Sequence, residues 1–426
     1  MTARSYLQLV RGNREFRLLW LAQMVSEIGD WLYAVVIYDL LLDRTGSAKA
    51  VAMAVVLQVL PQVLVAPMAG VLNDRLRRCR VMITADLARC LIVLGMLAAS
   101  HLDIIWPIYV LLLSETLMWG FFEPARSAIL PNVTTSGEEL LVANSLSSTT
   151  WSFNLAVGSA LGGLLAVAFG RDAVFVINAL SFLLSAFLLR KMRVQEPHAA
   201  LHPPMRARDL ADFSPILEGF RYIRRDSRLL ATLLAKFGLG MMGAHYVIIP
   251  IFGERVFPVA AGGIAGRRSS MLGMSLLMGA RGVGALVGPL VGGYWAGSII
   301  RRQRTGILFG FLCTGLGYVL LSVSPNLLAG IACVILAHAG GAVIWVFTTT
   351  MLQTQAEDRF RGRVFAADFA FLVLAMAAST YIAGIAVDNG WDIRTVSRTV
   401  GLLALVPALL WALVAMPLWK RDHGDA

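Results

Sequence analysis

Apolar residues along this chain fall into repeated blocks of roughly 20, separated by short polar or charged stretches. A helix of about 20 residues crosses a hydrocarbon core of about 30 Å. Inside lipid only helices and closed barrels satisfy every backbone hydrogen bond. The blocks are continuously apolar rather than alternating, which excludes a barrel. They predict twelve spanning helices, at 17–41, 48–72, 81–100, 104–125, 141–168, 173–190, 229–252, 271–298, 306–323, 327–352, 364–387 and 396–418. The expected fold class is an all-α membrane protein.

The longest polar stretch, 191–228, contains Pro203, Pro204 and most of a run of Lys and Arg. It divides the chain into an N-terminal six-helix bundle (1–190), a cytoplasmic linker (191–228) and a C-terminal six-helix bundle (229–426). Within the linker, Phe213–Arg228 reads either as a short amphipathic helix on the membrane surface or as a solvated connection. The halves echo each other: Pro67-Met-Ala-Gly70 in span two recurs as Pro289-Leu-Val-Gly292 in span eight, and Trp119-Gly-Phe121 in span four as Trp345-Val-Phe347 in span ten. Such repeats are common in transporters, with the substrate site between them near the midplane. Small residues gather where helices must approach closely, as in Gly158-x-x-x-Gly162 and Gly284-x-x-x-Gly288.

Composition fits this reading. The chain of 426 residues is 58% hydrophobic and 15% charged, against about 45–50% and about 25% in soluble proteins. Its net charge of +11 is explained by membrane orientation rather than by nucleic acid. With the N-terminus in the cytoplasm, inside segments carry 26 Lys and Arg and outside loops carry 8. That bias places both termini inside. The first apolar block lacks a small-residue cleavage site and reads as a permanent span. Cys79, Cys90, Cys313 and Cys333 form no C-x-x-C pair, and no metal site is expected.

A charge at mid-membrane costs about 2.5–3.5 kcal/mol on insertion scales, so the few such residues are the candidate chemistry. Gln23, Ser26, Glu27, Asp30 and Tyr33 share one face of span one. Glu27 and Asp30 lie one turn apart, an arrangement suited to carrying protons, or else to holding another helix. Asp39 lies off that face and reads as interfacial. Span four carries Glu115 and, one turn on, Trp119; span seven carries Lys236 and His245; span ten carries His338 and Trp345. Lys236 either reaches for the inner surface or serves as counter-ion to Glu27, Asp30 or Glu115. The two histidines suit either titration near neutral pH or a structural hydrogen bond. Asp86 and Arg89 in span three read as a structural pair near the inner surface, and Arg281 in span eight as bonded to a neighbouring helix.

Gly70-Val-Leu-Asn-Asp74-Arg75-Leu-Arg77-Arg78 between spans two and three resembles the major facilitator signature G-x-x-x-D-R-x-G-R-R. Arg77 replaces the family glycine and Cys79 a basic residue. A narrower likeness is to the third drug:proton antiporter group, which includes macrolide efflux pumps and the enterobactin exporter. It rests on Asn13-Arg-Glu-Phe-Arg17-Leu-Leu-Trp20, Ser26-Glu-Ile-Gly29-Asp30, Thr45-Gly46-Ser47, Pro124-Ala125-Arg126 with Leu130-Pro131, Ala143-Asn144-Ser145 and Arg361-Gly362-Arg363-Val364. The Gly-Pro of the antiporter signature in span five is Gly158-Ser159 here. The resemblance implies twelve helices in two pseudo-symmetric six-helix bundles, the major facilitator fold. It also implies a conformational latch formed by Gly70, Asp74, Arg75, Arg78, Arg126, Arg361 and Arg363.

These readings together predict a monomeric secondary transporter of the inner membrane that works without a cofactor. It would exchange an amphipathic or hydrophobic small molecule for protons by alternating access. Glu27, Asp30 and Glu115 would carry protons, with Lys236, His245, His338, Trp119 and Trp345 beside them. A lysophospholipid or lipid flippase of the same fold is the alternative. Nothing in the motifs supports an enzyme: there is no H-E-x-x-H, no Ser/His/Asp set in reach and no nucleotide-binding loop.

Overall fold

The computed structural model describes residues 3–102, 104–196, 213–259, 267–297 and 299–415. Its helices are α1 (Ala3–Gly12), α2 (Arg14–Thr45), α3 (Ala48–Arg75), α4 (Arg78–Ser100), α5 (Trp106–Val133), α6 (Gly137–Phe169), α7 (Arg171–Arg190), α8 (Ser214–Ile223), α9 (Ser227–Gly240), α10 (His245–Ile251), α11 (Arg267–Ala296), α12 (Ile300–Val323), α13 (Leu327–Gln355), α14 (Asp358–Asp388), α15 (Ile393–Leu403) and α16 (Leu405–Leu410). Every predicted span coincides with a helix or an interrupted rod, and the turn predicted near Gly170 is where α6 ends, with Gly170 at φ 88°. The middle of the predicted linker, 197–212, and the last residues of span twelve, 416–418, lie outside the described residues. Among the described residues, ten of the helical segments are both long and apolar enough to cross a membrane. The two spans that fall short on composition are α2 and α5, of 32 and 28 residues. Both are long enough at about 1.5 Å per residue; it is their buried polar residues that lower their hydropathy.

The chain divides into two compact units, one of 1–44 and 57–212, the other of 45–56 and 213–426. In the first, α4 packs on both α5 and α7. Helices α2 and α6 meet backbone to side: a Cβ on Gly158 would stand 2.7 Å from that of Trp31, and one on Gly162 would collide with the Leu32 carbonyl. The glycine spacing in span five is thus a packing device. Near one end of this unit, Phe16, Leu19, Met82, Phe122, Ile129 and Leu189 form a closed apolar core.

In the second unit, α13 packs against α11 and α12, and α12 against α15. Span seven is broken: α9 passes through a 3₁₀ turn at Met241–Ala244 into α10, then into a π turn at Phe252–Val256. The break frees carbonyls that α14 recaptures, Gly240 accepting from Ser379 Oγ at 3.2 Å and Gly243 from Thr380 Oγ1 at 2.8 Å. Helix α8 is the amphipathic segment anticipated in the linker. It lies on the start of α14, with Phe220 stacked on Phe371 and Tyr222 on Phe360, ring centroids 5.0 and 4.4 Å apart. Gly219 permits this, because any Cβ there would overlap the Arg363 carbonyl. The first turn of α3 belongs to this unit as well, its amides of Ala48 and Lys49 donating to Asp388 at 2.8 and 3.4 Å.

Candidate functional site

Each unit holds a buried ion network in the body of its spanning helices. In the first, Arg89 of α4 is the hub and is only 1% exposed. Its Nε donates to Glu115 Oε1 of α5 at 2.8 Å, and its Nη2 lies 2.6 Å from Asp30 Oδ2 of α2 and 2.7 Å from Glu115 Oε1. The guanidinium stacks on Phe182 of α7, 4.1 Å from the ring centroid. Four helices therefore converge on one cation. Asp86, expected to be its partner, stands 3.8 Å away, beyond hydrogen-bond reach. The ring of acids is unevenly exposed: the Asp30 side chain is 22% accessible, that of Glu115 9% and that of Asp86 0%. That exposure does not extend to both oxygens of Asp30, since Oδ1 is itself buried and Oδ2 is held by Arg89. Its second oxygen, Oδ1, has no hydrogen-bond partner among the described residues.

One turn below Asp30 on α2, Glu27 belongs to a second chain of contacts. Gln23 Nε2 donates to Glu27 Oε1 at 2.8 Å and Asn154 Nδ2 of α6 to Glu27 Oε2 at 3.2 Å. Gln23 in turn accepts from Arg126 Nη1 at 3.2 Å, and Arg126 donates to Glu123 at 2.8 and 2.5 Å. The amide of Gln23 thereby links a carboxylate to a guanidinium that it does not touch.

In the second unit, Lys236 of α9 donates to Asp368 of α14 at 2.6 Å and to Thr349 of α13 at 2.9 Å. The ammonium also lies 4.5 Å from the Trp345 ring centroid, a cation–π contact. Within the first unit the counter-ion of Asp30 and Glu115 is thus Arg89, and Lys236, only 3% exposed, is paired within its own unit rather than snorkelling. A third cluster joins the histidines. Their rings meet edge to face at 4.8 Å. His338 Nε2 lies 2.9 Å from the Tyr318 hydroxyl, and His245 Nδ1 donates to the Met242 carbonyl at 2.9 Å. A carbonyl only accepts, so Nδ1 carries the proton; Nε2 of the same ring is buried with no partner among the described residues. Arg281 donates to the Tyr246 hydroxyl at 2.9 Å, the interhelical bond expected of it.

Three further placements differ from expectation. Asp39 is buried, 4% exposed, and with Asp43 pairs with Arg171, the first residue of α7, a packing role that its sequence position alone does not reveal. Arg126 points into the buried Gln23–Glu123 network rather than to the turn after α3. Trp345 is 43% exposed and serves Lys236, whereas Trp119 is half-buried on α5. Of the other latch residues, Arg78 braces the end of α5 through the Ala128 carbonyl at 2.8 Å and Asn132 at 3.2 Å. Arg363 holds Glu218 of α8 at 3.0 Å. Gly70 and Arg361 are exposed, Arg75 is half-buried, and the side chain of Asp74 lies outside the described residues.

Sequence reasoning left out Asp368, Glu123 and Asn154, and placed Arg89 at the periphery. The signal for Asp368 was present, since it is a lone acid inside the predicted span 364–387. For Arg89 the missing information was which face of α4 meets α2 and α5.

Buried pairs of this kind on helices that repeat between two halves are the architecture of a membrane transporter, and residues 10–425 match the transmembrane secretion effector family. The chain is a major facilitator of that family. It is 23% identical over 405 residues to macrolide efflux protein A of Streptococcus pyogenes, covering 93% of this chain and 96% of that one. It is 30% identical over 237 residues to the MFS-type transporter YfiS of Bacillus subtilis, a match spanning 53% of each chain. A crystal structure of a peptide transporter POT superposes with a TM-score of 0.76 over 95% of both chains at 13% identity, a likeness of fold. This secretion effector is accordingly a multi-pass membrane transporter with the twelve-helix fold.

Proposed function

We propose that this transporter exports an amphipathic small molecule, cationic or weakly basic, in exchange for protons across the inner membrane, with both termini cytoplasmic. One observation above all carries this reading: Arg89 is shared by Asp30 and Glu115. With Asp86 beside them, three acids surround one base. Burying charge without a counter-ion is costly, so the excess negative charge calls for a neutralising cation. A proton and a basic substrate can each fill that role, and competition between them is the essence of an antiporter. Asp30, whose Oδ1 has no hydrogen-bond partner among the described residues, is where they would exchange. Neutralising it changes the strength of the α2–α4–α5 junction, and a ligand that binds two states unequally shifts their populations.

Two further points favour this reading. The second unit is built the other way, with Lys236 balanced by Asp368 and Arg281 beside neutral rings, so the acid excess is confined to the first. The excess of Lys and Arg in the segments assigned to the inside supports this orientation, and the likeness to macrolide efflux protein A favours export and suggests the class of molecule to try first.

The test is transport in proteoliposomes of radiolabelled erythromycin, a basic amphiphile, with and without an imposed pH gradient. The wild type should accumulate it only with the gradient. Asp30→Asn should abolish gradient-driven accumulation while leaving counterflow exchange of labelled for unlabelled substrate in place. Equal gradient-driven flux in wild type and Asp30→Asn would remove Asp30 from the coupling mechanism.

A further inference from the structure

A cavity of about 650 Å³ opens at the end of the first unit where α4 begins and α7 ends. Its rim carries three arginines, Arg77 and Arg80 from the start of α4 and Arg190 from the last turn of α7. All three are exposed, and none forms an ion pair or side-chain hydrogen bond with a described residue. The floor is apolar, made by Ile83, Leu189 and Met192. One acid, Glu196, also lines it, but its carboxylate is already engaged, accepting from the backbone amides of Arg78 at 2.5 Å and Cys79 at 3.4 Å. It caps α4, and the three guanidinium groups outnumber its single charge, so the rim stays net positive.

Both helices span the bilayer, so their ends lie at a lipid–water interface whichever way the chain is oriented. Below the cavity the outer faces of α4 and α7 are apolar and open: Leu87 is 44% exposed, Leu91 70%, Leu184 46% and Phe187 53%. A cationic rim above an apolar floor, continuous with a lipid-facing wall, is matched by one kind of molecule, with an anionic head and hydrocarbon tails. Arginine forks bind phosphate oxygens in pairs, and basic pockets between spanning helices suit anionic headgroups. The two places where this chain departs from the G-x-x-x-D-R-x-G-R-R signature, Arg77 and Cys79, both line this cavity.

We infer that the cavity between the start of α4 and the end of α7 is a binding site for an anionic phospholipid, its phosphodiester held by Arg77, Arg80 and Arg190. The acyl chains lie along α4 and α7.

Native mass spectrometry of the purified full chain, titrated with phosphatidylglycerol or phosphatidylcholine of equal chain length, tests this. The wild type should retain phosphatidylglycerol preferentially. An arginine near a charged headgroup contributes about fivefold in affinity, so the variant Arg77→Gln/Arg80→Gln/Arg190→Gln should lose at least about tenfold in that preference. The control Arg224→Gln/Arg225→Gln/Arg301→Gln removes the same charge from exposed positions of the second unit and should keep it. If the triple variant fails to fold, Arg80→Gln and Arg190→Gln alone keep the test open, each expected to weaken the preference severalfold. Cys79 gives an independent readout: phosphatidylglycerol, not millimolar inorganic phosphate, should slow its alkylation. Equal retention of the two lipids, a preference unchanged in the arginine variants, or protection of Cys79 by inorganic phosphate as strong as by the lipid would each overturn the assignment.

Discussion

Replacing Arg89 by methionine keeps most of the side-chain stem and removes the charge, leaving two acids without the cation they share. The guanidinium makes ion pairs to Asp30 and Glu115 at 2.6–2.8 Å and stacks on Phe182 at 4.1 Å. Removing one partner of a buried pair costs about 3–5 kcal/mol, because the remaining charge is left uncompensated. Oδ1 of Asp30 is buried without a partner among the described residues and the Glu115 side chain is only 9% accessible, so the cost is at least the lower end of that range. A loss of about 3 kcal/mol is a factor of roughly 150 in the folded-to-unfolded ratio. Neutralising the acids as well removes the cause: Arg89→Met/Asp30→Asn/Glu115→Gln should regain most of what Arg89→Met loses, since a neutral network often costs little relative to the ionic one. The assay is unfolding of the purified protein in one detergent, monitored by tryptophan fluorescence across a denaturant series and analysed as a mutant cycle. If Arg89→Met is as stable as the wild type, or if the triple variant is no better than the single one, Arg89 is not the electrostatic hub of this unit, and charge balance around it does not govern coupling.

Three more perturbations probe other junctions. Asp368→Asn leaves the Lys236 ammonium with only Thr349 and the Trp345 ring, so it should destabilise the second unit by about 2–4 kcal/mol, and Lys236→Met added to it should restore most of that in thermal unfolding. Gly219→Ala should lift α8 off α14, because the new methyl collides with the Arg363 carbonyl; protease cleavage within 197–228 should speed up several-fold, while Gly12→Ala, which has open space around it, should change nothing. Gly162→Leu should fail to accumulate in the membrane, since its side chain would occupy the Leu32 backbone; normal expression of this variant would refute the close α2–α6 packing.

How much of the molecule was legible in its sequence depends on which interactions are local. The rule that apolar blocks of bilayer length must be helices acts residue by residue, so all twelve spans were readable, and the glycine at 170 marked a turn with no tertiary information. The site was legible only as an inventory. Glu27, Asp30, Glu115, Lys236, His245 and His338 stood out because charge in lipid is expensive wherever it sits, but cost alone does not name the partner. Arg89 lies one turn from Asp86, so local reasoning paired them. The fold instead turns Arg89 toward α2 and α5, where two acids at 2.6–2.8 Å outweigh one at 3.8 Å. For Lys236 the sequence offers either the inner surface or the acids of the first half, while its actual partner Asp368 lies near the start of span eleven. The choice between candidate partners is made by helix packing, above all by the glycine contacts that set how closely α2 meets α6 and α9 meets α14. In a membrane protein the composition of each span is a statement about lipid, but the pairing of its charges is a statement about neighbouring helices, and only the second determines where a proton can go.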